Sequence, residues 1–512
     1  MKKIYLSIAV ITLLLGASSC DKDFEEINTN PNATSNLDAG YLFSSAQQGS
    51  VQQTHLYQAQ IVQQVVTHQT GTLEGGNHNV INEVNTRNNF NSLYGGPIRN
   101  LVDVIDKTAT DPARSNLYNM ARIMKAYNFM ILVDTYGDVP YFDAGKANIE
   151  GADSFLPKYD DQKLIYEDII KELQEATDQL DASKDKVPGD LFYLGDIPKW
   201  KKLGNSLLLR VGMRYTELDE NKAKAIVADA VSKGVMTSNA DNAIIRLTSA
   251  YPNATSQQLT ATEASNFYVG KPFADYLKAT NDPRTRYFAA RYNSGSEVPE
   301  TPQNLNGMPY GYTVSDIATA PGYTGNINGY SQFRRSTVIF STAPEHFVTY
   351  SQTQLLMAEA AIRGYIASPL EAVNYYTTGI KAHFDQMKDY SAAVTFTNEE
   401  IDAYLAQPAL VLNPLDSEDA LRKINEQYWV ASFRNWSEAW ANLRRSGYPV
   451  LPVNRYPSAD ASLTDPKYNA QGFIRRLIYP QKELSVNTNN INEAITRMGG
   501  NTLGTRIFWD KN

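Results

Sequence analysis

Cysteine is almost absent from this chain: Cys20 is the only one in 512 residues. A single thiol excludes an internal disulfide, a thiolate zinc site and CxxC redox chemistry. Histidine is scarce too, and none of the five (His55, His68, His78, His346 and His383) stands at metal-ligand spacing. The chain has no GxSxG, no P-loop, no HExxH and no EF-hand-like spacing. Its carboxylates give no readable acid–base pair, because the separation of Asp134, Asp138, Glu359 and Glu438 in space cannot be taken from the sequence. Lys and Arg number 47 against 55 acids, a net charge of −8 with no basic run or face, which argues against nucleic acid as a partner. Beyond the first twenty residues no stretch is apolar enough to span a bilayer.

The N-terminus is more informative. Lys2 and Lys3 precede an apolar run from Ile4 to Leu15, followed by Gly16-Ala17-Ser18-Ser19 and then Cys20. This is the layout of a secretory leader, too short for a membrane span. A lone cysteine after small residues reads as a lipid acceptor, with Ala17 where such motifs usually carry Leu. The expectation is therefore a leader over 1–19, lipidation of Cys20 and membrane attachment through lipid only, which needs more than one acyl chain to be stable. Residues 20–36 are polar and turn-rich and read as a flexible tether.

The remainder reads as one large, mostly helical domain over 37–512. Asp160 or Asp161 can cap a helix running through Ile165, Ile169, Leu173 and Leu180, with a Glu167–Lys171 pair on its exposed side. Further helices are expected over Tyr118–Tyr136, Trp200–Tyr215 and Asn221–Lys233. A helix–turn–helix spans Pro344–Asp389: Gly364 stops its first helix after Ile362. Ser368, Pro369 and Glu371 open the second with a capping box, ahead of a stripe of Leu370, Val373, Tyr376, Ile380, Phe384 and Met387. This has the form of a degenerate tetratricopeptide-like hairpin. Trp429, Phe433, Trp436, Trp440 and Leu443 form a helical stripe that reads as core.

Two stretches resist a helical reading: Gly71–Tyr94, rich in Gly and Asn, and Tyr287–Ser336, rich in Tyr, Gly, Pro and Asn. Long loops of this kind are commonly functional. Tyr outnumbers Phe by 32 to 18, and its flat face with one hydroxyl suits sugar or peptide surfaces.

Several motifs together resemble one family. Asp134-Thr-Tyr-Gly-Asp-Val-Pro-Tyr-Phe-Asp-Ala144 resembles the hallmark turn of the SusD/RagB family. Pro157–Tyr166, the Trp200–Arg214 helix, Glu426–Trp429 through Trp440 to Pro449, and Arg475–Pro480 follow in the family's order. The acidic cluster after Cys20 resembles the surface-export signal of Bacteroidetes lipoproteins. The resemblance implies an all-α fold of tetratricopeptide-like helix pairs with long ligand-binding loops. It also implies a cell-surface, outer-membrane lipoprotein that binds an oligosaccharide or peptide, passes it to a SusC-like TonB-dependent transporter, and uses no cofactor, no metal and no catalytic residue. A surface-anchored glycan-degrading enzyme and an adhesin without a transport role are the alternatives.

In this reading Asp134, Gly137, Asp138 and Pro140 are structural punctuation, and Arg444 and Arg445 pair with acids such as Glu438. The ligand candidates lie on the two loops. Asn77, His78, Arg87 and Asn88 can hydrogen-bond sugar hydroxyls. Tyr310, Tyr312, Tyr323 and Tyr330 can stack on pyranose faces. Phe90 stands where many family members carry Trp on the ligand face.

Overall fold

The apolar periodicities are realised as helices packed in consecutive pairs. A computed structural model of the chain describes residues 37–511 except 53–55, 152–153, 263–265, 294, 455 and 457–458. The expected leader, Cys20 and the tether lie outside the described residues. The principal helices are α1 (Ala39–Gly49), α2 (Arg99–Thr108), α3 (Ser115–Tyr136), α4 (Gln162–Gln179), α5 (Ile197–Met213), α6 (Glu220–Lys233), α7 (Tyr350–Ile362), α8 (Ala372–Gln386), α9 (Ser417–Ala431) and α10 (Trp436–Ser446). In space α1 packs on α2, α3 on α4, α5 on α6 and α7 on α8; α4 joins α5, and α9 lies against α7. α3 and α7 are buried on nearly every side, as helices without a polar face must be. One apolar cluster runs from Ala39 to Trp509 and takes side chains from all of these helices.

Local chemistry sets the helix ends. Asp161 accepts from Lys163 N–H, Asp196 from Lys199 N–H, Asp219 from Lys222 N–H and Thr349 from Gln352 N–H. Each supplies an acceptor to a first-turn amide that has no partner within its helix. Three small sheets complete the frame. β1 (Val65–Thr67) pairs antiparallel with β3 (Phe267–Val269), and β2 (Ala243–Ile245) with β7 (Glu345–Val348). β4 (Ala289–Asn293) lies between β5 (Ser296–Pro299) and β6 (Gln332–Phe333).

The hallmark turn closes α3. Gly137 ends the helix at φ +78°, and a Cβ there would stand 2.5 Å from Met498 Sδ. Asp138 accepts from Gln162 N–H at 3.0 Å and pairs with Arg497. Asp134, buried in the last turn of α3, accepts from Arg214, Tyr166 and Trp509 Nε1. Arg214 also donates to Glu438 at 2.6 Å. These groups tie α3, α4, α5, α10 and the C-terminal segment together.

Several local expectations need correction. The first helix of the hairpin begins at Tyr350 and not near Pro344, because Glu345–Val348 pairs as a strand with β2. Ser368 accepts from Leu370 N–H and opens a 3-10 turn, so the expected box with Glu371 gives way to a tighter one. Leu370 and Val373 are exposed, which shortens the apolar stripe to Tyr376 and beyond. Glu167 pairs across to Lys222 of α6. Arg445 pairs with Glu359 at 2.6 Å, and Arg444 donates to the carbonyls of Arg475 and Asp134, both at 2.7 Å. Glu438 belongs to Arg214. The aromatic stripe is core, with Leu443 half-buried at its end, but α9 and α10 break between its members at residues 432–435. Gly71–Tyr94 holds the short helices Glu83–Thr86 and Asn88–Leu93, the first capped by Asn82, and Tyr287–Ser336 holds the three-stranded sheet.

Candidate functional site

The two irregular stretches meet on a ribbon made by β1 and β3. Alternate side chains of a strand point to opposite faces. Val65, Phe267 and Val269 point into the main core, while Val66 and Tyr268, directly opposed in the register, point the other way. On that second face they gather Met308, Ile317, Ala320 and Tyr330, with Tyr310, Tyr312, Tyr323 and Ile327 half-buried around them. Backbone bonds extend the ribbon: Val269 N–H donates to Ser331 O, Ser331 N–H to Asn306 O and Met308 N–H to Val269 O.

The 71–80 segment is pinned to this platform. Tyr310 Oη lies 2.7 Å from Gly76 O and 2.9 Å from Gln60 O, donating its one proton between them. Gly76 is obligatory, since a Cβ would meet Tyr57 O at 2.3 Å. Asn77 Nδ2 donates to Thr67 O at 2.7 Å. His78 Nε2 lies 3.0 Å from Tyr312 O, which places its proton on that nitrogen when neutral, and its ring stacks on Tyr456 at 4.3 Å. His68 packs edge-on to Tyr268. Tyr268 and Tyr323 each lie near Tyr330, with ring centroids 6.4 and 6.3 Å away.

Burial tunes these groups. It pulls both His68 and His78 below the usual histidine range; the neighbouring histidine adds to this at His68, whereas the Tyr312 carbonyl, Glu74 and Asp316 oppose it at His78. Burial likewise pushes the Tyr310, Tyr268 and Tyr330 hydroxyls up. These histidines and tyrosines are thus uncharged at neutral pH. Asn77 Oδ1, His68 Nδ1, His78 Nδ1 and Tyr330 Oη are buried without a hydrogen-bond partner. Tyr312 and Tyr323 keep part of their rings open to solvent.

Of the residues singled out by sequence, Asn77, His78, Tyr310, Tyr312, Tyr323 and Tyr330 come together here. Arg87 is exposed and Asn88 half-buried on the neighbouring pair of short helices. Phe90 turns inward, 5% exposed, against Tyr94 and Tyr136. Tyr268 and Tyr456 escaped sequence reasoning. The alternation that aims Tyr268 at the face covers only three residues, and Tyr456 reaches it from a segment remote in sequence.

A cavity of about 180 Å³ opens elsewhere, at the C-terminal end of α10, walled by Trp440, Leu443, Phe473 and Val450. Its two arginines are spent: Arg444 on carbonyls and Arg475 on Asp510. Among the described residues no group of three or more His, Cys, Asp or Glu is placed to hold a metal ion, and no helix is long and apolar enough to cross a membrane.

Residues 31–480 match the family model of SusD-like proteins, described as starch-binding and associating with the outer membrane. The chain belongs to the SusD-like family. Among solved structures, this SusD-like chain is similar to a chitin-binding protein at 30% identity, TM-score 0.79, over 93% of this chain and all of the other. A Bacteroidetes SusD-like protein matches at 25% identity, TM-score 0.80, with the same coverage. A chitin-binding SusD homolog from Flavobacterium johnsoniae shares the fold at 21% identity, TM-score 0.75, over 92% of this chain and 98% of that one. No curated protein sequence matches this SusD-like chain.

Proposed function

We propose that the chain is a cell-surface, outer-membrane lipoprotein that binds an oligosaccharide on the tyrosine-lined face and hands it to a SusC-like TonB-dependent transporter. The observation that carries this reading is the pinned platform with two half-open tyrosine rings and buried, unpartnered polar atoms beside them. Flat rings take the apolar faces of sugars, and fixed polar groups take hydroxyls. In this reading Tyr312 and Tyr323 stack on the ligand, Asn77 and His78 hydrogen-bond it, Tyr310 and Tyr330 support them from beneath, and Arg87 and Asn88 flank the face. Phe90, committed to the core, is left out. The helix pairs are read as tetratricopeptide-like and residues 37–512 as a single domain carrying the loops. Residues 1–19 are its leader, and 20–36 a tether from lipidated Cys20.

The chitin-binding relatives make N-acetylglucosamine oligomers the first ligand to try, with starch oligomers second. Isothermal calorimetry on the purified protein is expected to give saturable binding, and chromatography of the same mixture to return the oligomer uncut. Time-dependent cleavage would replace this reading with that of a glycan-degrading enzyme. Co-purification with a large outer-membrane barrel from the native membrane tests the transport role; isolation without one leaves an adhesin.

A further inference from the structure

Within the parts of the two stretches that pack on the platform, residues 71–86 and 292–333, no cation occurs. No Lys or Arg lies between Lys22 and Arg87, nor between Arg291 and Arg334. At the chain-wide frequency of 47 in 512, the described parts of these stretches would carry about eight. Acids are kept. Glu74 Oε1 stands 3.6 Å from His78 Nδ1, and Asp316, from the opposing stretch, holds the turn below Tyr312 by accepting from Thr313 N–H and Oγ1–H. Arg87 stands exposed on the short helices beside the face, whereas Lys271 and the arginines that bound the second stretch are already engaged. Lys271 pairs with Asp275, Arg291 with Glu300 and Arg334 with Glu297, while Arg335 lies over Tyr292 and donates to Gln332. Arg455 lies outside the described residues.

We propose that this face selects glycans by charge, taking neutral and amino-bearing sugars and turning away those that carry uronate or sulfate. The inference rests on the glycan-binding reading above. A ligand carboxylate or sulfate laid across Tyr312 and Tyr323 gives up water and meets Glu74 and Asp316, with no guanidinium or ammonium among residues 71–86 and 292–333 to receive it. Burying an unpaired charge beside like charges is costly, and such juxtapositions are a recognised means of rejecting wrong partners. A glucosammonium group meets the same two acids as a partner. Neutral hexoses and N-acetylhexosamines are indifferent to them and rely on stacking and hydrogen bonds.

Calorimetry with size-matched probes tests this: chito- and malto-oligosaccharides as neutral ligands, a de-N-acetylated chitosan oligomer as the cation and oligogalacturonate as the anion. The neutral arm and the chitosan oligomer are expected to bind, with oligogalacturonate weaker by at least tenfold. The margin of the chitosan oligomer over oligogalacturonate should shrink in high salt, which screens exposed charges, and in Glu74→Gln and Asp316→Asn. Thr72→Lys combined with Ser315→Lys, both at exposed positions, should admit oligogalacturonate. Oligogalacturonate binding as tightly as the neutral ligands overturns charge selection and leaves glycan binding standing; loss of that binding in Arg455→Ala would name the cation responsible. Failure of every probe removes the glycan reading, and charge selection with it.

Discussion

Glu359 is a carboxylate on an interior helix, fully buried, with Arg445 bonding both of its oxygens at 2.6 and 2.7 Å. Burial pushes its carboxyl up, but Arg445 and Arg363 overcome that and hold it at about 2. Arg445→Met leaves the carboxylate without its main partner and is expected to cost about 3–5 kcal/mol, read as a lowered denaturation midpoint. The pair also sets an acid limit. Its stabilisation is complete above the free carboxyl value of 4.5 and is lost as pH falls towards 2, because the unfolded chain takes up the proton first. Glu359→Gln should flatten that limb of a stability–pH curve. His383 gives the matching case for a base. Burial and then Arg284 hold it well below 6.5, and its Nδ1 lies 2.7 Å from the Arg284 guanidinium. Stability from keeping it neutral is present above 6.5 and declines as pH drops below, where unfolded histidine protonates. His383→Gln, which keeps an acceptor for Arg284, should reduce the slope below about pH 6.5 in the same denaturation series, leaving the share of the other lowered histidines, His68 and His78.

At the scale of elements, the β1–β3 ribbon separates two jobs. Replacing Tyr312 or Tyr323 by Ala removes half-open rings from the second cluster only. Glycan affinity should fall by about 5- to 10-fold, the equivalent of an aromatic contact, with little change in melting temperature. Tyr310→Phe keeps the ring but frees the Gly76 carbonyl. It should cost about 1 kcal/mol and speed amide exchange over residues 71–80, measured by mass spectrometry. The sequence made the long elements readable because α3, α4, α5 and α6 carry apolar residues over several turns and either start at an Asp cap or stop at Gly. It could not give the partners of Arg444 and Arg445, since ion pairs across packed helices depend on geometry that spacing does not encode. The face was half legible. Tyr, Gly and Asn set off the two stretches that meet at the ribbon, yet strands of three residues give no period, so Tyr268 stayed hidden. Phe90 was placed by its neighbourhood in sequence, while the Asn88–Leu93 helix turns its ring inward.

For the whole molecule, the proposed anchorage joins an acidic charge balance. The proposed lipid at Cys20 would hold a chain with an excess of acids at a membrane surface, with no spanning helix among the described residues. Cys20→Ala is expected to move the protein from the membrane fraction to the soluble fraction, followed by fractionation and immunoblotting; retention in the membrane would refute lipid anchorage. The junction at Asp134 has a consequence in time. Its carboxylate is satisfied by groups lying between 32 and 375 positions along the chain, the last of them Trp509. A ribosome must therefore complete nearly the entire polypeptide before this centre can close. Until then the growing chain lacks the clasp that fastens its middle to its end, and a premature stop short of Trp509 yields a product that never acquires it.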